Sequence, residues 1–263
     1  MSTEKKYNQK FNDFSEVSPL RGDLEGAIDI NCDMGEGIGN DEAIMPNISS
    51  ANIACGYHAG DKDTMKRTVD LAMKFNVAIG AHPSFLDREN FGRTDIRLPL
   101  QEVYDLVTKQ ICLLDDIVKS AGGILHHVKP HGALYNMAAR AKPLAAVIAL
   151  AVKDSNEKLI LYGLSGSHLI KEAKKIGLKT ANEVFADRTY QDDGRLTPRC
   201  KDDALIKETD KAVQQVLQMI KEGSVTSCNG KAFPIIAETI CIHGDGEHAV
   251  EFAKALHRAI RGV

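Results

Sequence analysis

Polar and ionisable residues gather after short apolar segments in this chain: Asn31, Asp33 and Glu36; Asn52 and His58 to Asp61; His82; Lys129 and His131; Asp187 and Arg188; His243 and Asp245. Carboxylates, imidazoles and an ammonium are the groups that move protons and hold developing charge near neutral pH. A lone histidine after a strand is more often a hydrogen-bonded structural group, so any single cluster is a weak signal. Their recurrence at nearly every segment end is a stronger one. Period-two alternation puts Asn31 and Asp33 on one face, and Gly35 and Gly37 allow a sharp turn beyond them. Glu36 reads equally well as a site carboxylate or a turn acid. Asp61 can serve a site and also cap the helix that begins near Asp63. His127, Lys129 and His131 share parity and so can share a face, whereas His126 points the other way, toward a helix. Lys129 suits a developing oxyanion or a phosphate, and His131 a proton shuttle. Arg93 and Arg188 lie in long polar loops, 85–93 and 187–195, and suit two-pronged clamping of a carboxylate; surface ion pairing is the bland alternative.

A scaffold must bring these positions together. Strands are predicted over 27–32, 50–55, 77–81, 123–129, 159–163, 179–185 and 238–242, and helices over 63–75, 100–120, 143–153, 167–176, 203–222 and 247–260. Strands alternating with amphipathic helices describe βα units and a mostly parallel sheet, whose sites are built at the carboxyl ends of the strands. The strand count suggests a barrel, although an open doubly wound sheet fits the periodicity too. The 263-residue length suits one (β/α) barrel domain over 27–263, preceded by a polar arm over 1–26 without a signal-peptide core or transit-peptide character.

Composition excludes several classes. A net charge of −3 with no Lys/Arg stripe argues against a nucleic-acid partner. No apolar run approaches bilayer length, so no membrane partner is expected. Cys32, Cys55, Cys112, Cys200, Cys228 and Cys241 show no Cys-x-x-Cys pairing and read as reduced, buried thiols of a cytoplasmic protein. A Gly-x-x-x-x-Gly-Lys-Ser/Thr loop, a Gly-x-Ser-x-Gly elbow and a His-Glu-x-x-His helix are all missing, so ATP, if used, is not bound by this chain alone.

Read together, Asn31 to Glu36, Ser50 to Asp61, Gly80 to Phe85, Asp87 to Arg93, His127 to Asn136, Glu183 to Arg188 and His243 to His248 resemble the LamB/YcsF family, in the family's order and over nearly the whole chain from Ile28. The resemblance implies a seven-stranded, TIM-like (β/α) barrel related to glycoside hydrolase and deacetylase barrels. It implies that the chain acts with two partner subunits to convert 5-oxo-L-proline, ATP and water into L-glutamate, ADP and phosphate. On that basis Asp33 or His131 is the expected base, Lys129 the oxyanion stabiliser and His58 the proton donor to the ring nitrogen. Asn31, Glu36, Asn52, Asp61, His82, Arg93, Asp187, Arg188, His243 and Asp245 are expected around the substrate. A divalent metal is an open alternative, since Asp33, His58 and His82, with His131 or His243, are ligand types. Two rival readings are a metal-dependent carbohydrate deacetylase, disfavoured by the lack of Trp for sugar stacking, and a non-catalytic ligand-binding role within the complex.

Overall fold

The computed structural model describes residues 28–244 and 249–261. The predicted arm over 1–26 lies outside them. Strands β1 (Asp29–Met34), β2 (Ser50–Ala54), β3 (Ala78–His82), β4 (Leu125–Val128), β5 (Ile160–Leu164), β6 (Lys179–Phe185) and β9 (Thr239–His243) form a closed barrel in that order, every neighbouring pair parallel. Strand β9 pairs with both β6 and β1, which decides between the barrel and the open sheet. Strands β7 (Ser224–Thr226) and β8 (Ala232–Pro234) make a separate antiparallel hairpin.

Helices α1 (Asp41–Ile44), α2 (Lys62–Phe75), α3 (Leu100–Ser120), α4 (Gly132–Arg140), α5 (Lys142–Ser155), α6 (His168–Lys175) and α7 (Thr209–Glu222) lie between the strands, and α8 (Ala249–Arg261) follows β9. Helix α2 starts where the Asp61 side chain accepts the Thr64 N–H, and it ends at Asn76 in the left-handed region. None of the described helices is long and apolar enough to cross a membrane.

Alternation along the strands sorts the interior into two parts. Ile30, Cys32, Met34, Ile53, Ile79, Val128, Leu161, Val184, Ile240 and Ile242 belong to one large apolar core that the helices cover. The opposite faces carry Asp29, Asn31, Asp33, Ser50, Asn52, His127, Lys129, Glu183 and Thr239, all buried. Buried polar groups require partners, and most of these supply one another by hydrogen bonds, while Glu183, whose carboxylate accepts none among the described residues, is held by the Lys129 charge. Asn31 Nδ2 donates to Thr239 Oγ1 at 2.7 Å, Asn52 Nδ2 donates to Asn31 Oδ1 at 2.7 Å, and His127 Nε2 donates to Asn52 Oδ1 at 2.8 Å. The His127 ring stacks on Tyr162 with 4.2 Å between centroids. It lies over Gly80, its register partner on the neighbouring strand β3, where a Cβ atom would lie 2.1 Å from His127 Nε2.

Four features depart from the sequence-based expectations. Of the cysteines read as buried, Cys32, Cys55 and Cys241 are, but Cys112, Cys200 and Cys228 are exposed. The Lys129-to-Gly132 motif reads as extended chain, yet helix α4 begins within it at Gly132, whose φ of +55° permits a turn that the periodicity does not signal. Helix α7 begins at Thr209 rather than near 203, because residues before it fold back on the 187–197 loop through Thr189 N–H to Ala204 O and Ile206 N–H to Asp187 O. Helix α1 and the β7–β8 hairpin are too short to leave a periodic signature.

Because His127 is fully buried, it cannot yield to a methyl group at position 80. Gly80→Ala is expected to lower stability by about 3 kcal/mol in urea denaturation. Gly80 does not have the positive φ that many of the other glycines show, so the loss reads the clash with His127 and not backbone strain.

Candidate functional site

Strand register builds the centre of the site. Asp33 lies across from Asn52 on β2 and from His243 on β9, while β4 carries the chain straight to Lys129 and His131. The Lys129 ammonium meets Asp33 Oδ1 at 2.8 Å, Glu183 Oε1 at 2.8 Å, Cys241 Sγ at 3.0 Å and Asn31 Oδ1 at 3.2 Å. An ammonium has three hydrogens, so Lys129 is saturated by the barrel wall itself. Burial would depress its pKa, but Asp33, Cys241 and Glu183 outweigh burial and hold it well above the usual lysine range. Asp33 shows the converse. Burial would raise its pKa, but the His82 ring and the Lys129 ammonium hold it well below the usual carboxylate range. Around this lysine, Glu183 and Cys241 are not among the predicted site residues: Glu183 stands only within the 183–188 motif and Cys241 only as a thiol. Their inward parity on β6 and β9 was the available signal.

Three histidines from the ends of three different strands meet beside this pair. His82 Nδ1 donates to the Lys129 carbonyl at 2.7 Å, and His131 Nε2 donates to the Phe91 carbonyl at 2.9 Å. Ser84 Oγ donates to the Phe85 carbonyl, so it accepts from His58 Nδ1 at 2.9 Å. These partners assign the tautomers and turn His82 Nε2, His131 Nδ1 and His58 Nε2 inward. There His131 Nδ1 lies 2.9 Å from His82 Nε2 and 3.7 Å from Glu36 Oε1, and His58 Nε2 lies 3.3 Å from the same oxygen. His82 Nε2 is also 3.3 Å from Asp33 Oδ2. Two imidazole lone pairs at such a separation need a shared proton or a cation between them. Burial, followed by the neighbouring histidines, pushes the pKa of both His58 and His131 well below the usual range, which keeps the imidazoles neutral as ligands must be. Glu36, His58, His82 and His131 place one donor atom each within 4.8 Å of one another, as do Asp33, Cys241 and His243.

Loop 85–93 covers the histidines. Gly92 passes so close that a Cβ atom would lie 2.9 Å from both His131 and His58, and Arg88 pins the loop by donating to the Gly56 and Gly60 carbonyls at 2.7 Å each. His58 stacks behind His131 with centroids 3.8 Å apart.

A cavity of about 390 Å³ opens at this end of the barrel. Asp33, His82, Arg93, Lys129, His131, Arg188 and His243 line it, which brings seven of the predicted residues together. Asn31 and Asn52 sit one layer deeper in the hydrogen-bonded interior, and Glu36 and His58 sit behind the wall. Asp187 holds the His243 ring, with Oδ2 2.8 Å from Nδ1. Asp61 is exposed and serves as the α2 cap, off the cavity wall. Asp245 lies outside the described residues. Arg140, Arg195 and Arg199 also line the cavity; Arg195 ends the polar loop 187–195 that the sequence marks out, whereas the segments of Arg140 and Arg199 carry no motif that would have selected them.

The LamB/YcsF family model matches residues 28–262. A protein of Brevibacillus brevis named as a 5-oxoprolinase subunit is 52% identical over 241 residues, covering 90% of this chain and 95% of its own. A Bacillus cereus protein of the same name is 54% identical, covering 88% of this chain and 94% of its own. Among solved structures, a lactam utilization protein from Thermus thermophilus is 40% identical, with a TM-score of 0.83 over 90% of this chain and 96% of that one.

Lys129→Met removes the cation shared by two buried carboxyl groups, and a loss of about 3–5 kcal/mol is expected in urea denaturation. Acid should destabilise the metal-free chain in two stages. The buried His127, depressed by desolvation, and Asp33 both bind more protons unfolded than folded, so stability falls as the pH is lowered. The histidine share is lost from about pH 6.5 downward and the Asp33 share from about pH 4. An unfolding midpoint that rises as the pH drops from about 7 to about 5 contradicts this account.

Proposed function

Because this chain belongs to the LamB/YcsF family, we propose that it is the ring-opening subunit of a cytoplasmic, ATP-dependent 5-oxoprolinase that works with two partner subunits. The observation that carries the proposal is the cavity itself, in which Asp33, His82 and His131 share a space with several arginines. That combination suits a small amide that bears a carboxylate, and the volume lies at the small-ligand end of the usual range. The names of the close relatives support the same substrate.

A five-membered lactam keeps amide resonance and little strain, so its opening needs coupling. In this reading the partner subunits, with ATP, phosphorylate the lactam oxygen. Water attacks the ring carbonyl carbon, the C–N bond breaks, and the amine takes a proton, which leaves an acyl phosphate. A second water releases phosphate and L-glutamate. Asp33, fixed as a carboxylate, orients water through Oδ2 and passes its proton to His82 and His131, the imidazoles nearest to it on the wall. His131 then delivers the proton to the departing amine. Lys129, with no hydrogen to spare, keeps Asp33 ionised and placed instead of touching substrate. His58 backs His131 and orients it.

The donor set also fits a divalent metal. Glu36, His58, His82 and His131 are oxygen and nitrogen ligands, with the outer nitrogen of each ring hydrogen-bonded as metal-ligating histidines require. When bound, such an ion supplies Lewis acidity toward a carbonyl oxygen or water.

Asp33→Asn should leave the far-ultraviolet circular dichroism unchanged and lower glutamate production by the complex at least about 100-fold. The assay uses 5-oxoproline, ATP and the partner subunits; wild-type turnover by Asp33→Asn, or glutamate made by the lone chain without ATP, rejects the proposal. For the metal, chain loaded with zinc and dialysed should retain one ion by elemental analysis, and His131→Ala should lose it. Failure of the wild type to retain zinc or manganese removes the metal from the reading.

A further inference from the structure

The cavity holds more positive charge than one substrate carboxylate requires. Lys129 is held between Asp33 and Glu183, Arg140 pairs with Asp95, and Arg195 pairs with Asp193 at 2.6 Å. Arg93 lies over the Phe91 ring, 4.8 Å from its centroid. Arg188 and Arg199 differ. Both come from the segment between β6 and α7, both line the cavity, and neither has an acidic partner within ion-pair distance among the described residues. Arg188 is 4% exposed and spends Nε and Nη2 on the carbonyls of Ala204 and Thr197, at 3.2 and 2.6 Å. Those bonds aim a rigid guanidinium and leave Nη1 without a partner among the described residues. Thr197, on the same wall, has a buried hydroxyl that also lacks a partner among them. The neighbouring carboxylate, Asp187, is taken by the ring and the N–H of His243.

Two guanidiniums on one cavity wall repel each other, and Arg188, buried where Arg199 is half-buried, also loses hydration. Burial and then the Arg199 charge bring the Arg188 pKa down to about 10. An oxyanion between them relieves both costs, and the fork of an arginine matches the oxygens of a phosphoryl group. We propose that Arg188 and Arg199 form a subsite for a dianionic phosphoryl group, separate from the Asp33 and histidine cluster. The identity of its carrier, the phosphorylated intermediate derived from the lactam, rests on the function proposed above. The binding of phosphate itself does not.

The test is calorimetric titration of the purified full-length chain, without ATP or partner subunits, with inorganic phosphate and with acetate as a carboxylate probe. Saturable phosphate binding is expected, weakened roughly tenfold or more in Arg199→Gln. Arg67→Gln, an exposed site on α2, should bind as wild type does. Arg199→Lys, which retains charge but not the fork, should fall between them and serves as the readout if Arg199→Gln does not fold. Equal phosphate affinity in wild type and the folded Arg199 variants, or acetate binding as tightly as phosphate, overturns the proposal. Phosphate binding by a chain whose complex makes no glutamate would keep the subsite and reject the ring-opening reading; glutamate production without phosphate binding would do the reverse.

Discussion

An ammonium buried inside a barrel must have anions and acceptors around it, and meeting that requirement for Lys129 organises the rest of the site. Asp33 and Glu183 come from strands on either side of β9, which itself contributes Cys241, and the backbone carbonyl of Lys129 sets the tautomer of His82. The same lysine therefore fixes the ionisation of a carboxylate with its side chain and the proton position of an imidazole with its backbone. Breaking such a buried pair costs more than forming it returns, which makes the arrangement a poor source of stability but a strict one of geometry.

The inward faces of the strands explain how a polar network survives at that depth. Many (β/α) barrels fill this space with branched apolar side chains. Here the asparagines, Ser50, Thr239 and His127 fill it with mutually satisfied hydrogen bonds, and among the described residues the apolar cluster that stands apart from the main core is just Ile160, Tyr162 and Ala181. Such a network fails if any member loses its partner. Gly80 shows how little room there is, since its missing side chain is the space the His127 ring occupies.

Much of this was legible in the residues alone. Parity put Asn31 with Asp33 and His127 with Lys129 and His131, because alternation is a local rule that a strand obeys wherever it lies. What parity cannot supply is which strands become neighbours. Glu183 and Cys241 went unselected because their meaning depends on Lys129 reaching them across the barrel. The demotion of His58 from the cavity wall has a similar origin: loop 85–93 closes over it, and loop packing leaves no periodic trace. Asp61 was readable in two ways, and its capping bond to Thr64 accounts for its position. The fold-back that delays α7 arises from backbone hydrogen bonds between distant turns, which composition does not encode.

The double pairing of β9 carries a consequence for how the chain acquires its structure. Until β9 inserts between β6 and β1, the barrel has two open edges, and Lys129 lacks Cys241, a partner 112 residues away in sequence. Contacts of such separation carry a large loop-closure entropy and are made late. A nascent chain that ends before β9 therefore has two unpaired strand edges and leaves Asn31 and Asp29 without Thr239, so translation of the C-terminal segment, more than the formation of any earlier βα unit, is the moment at which the molecule commits to its folded form.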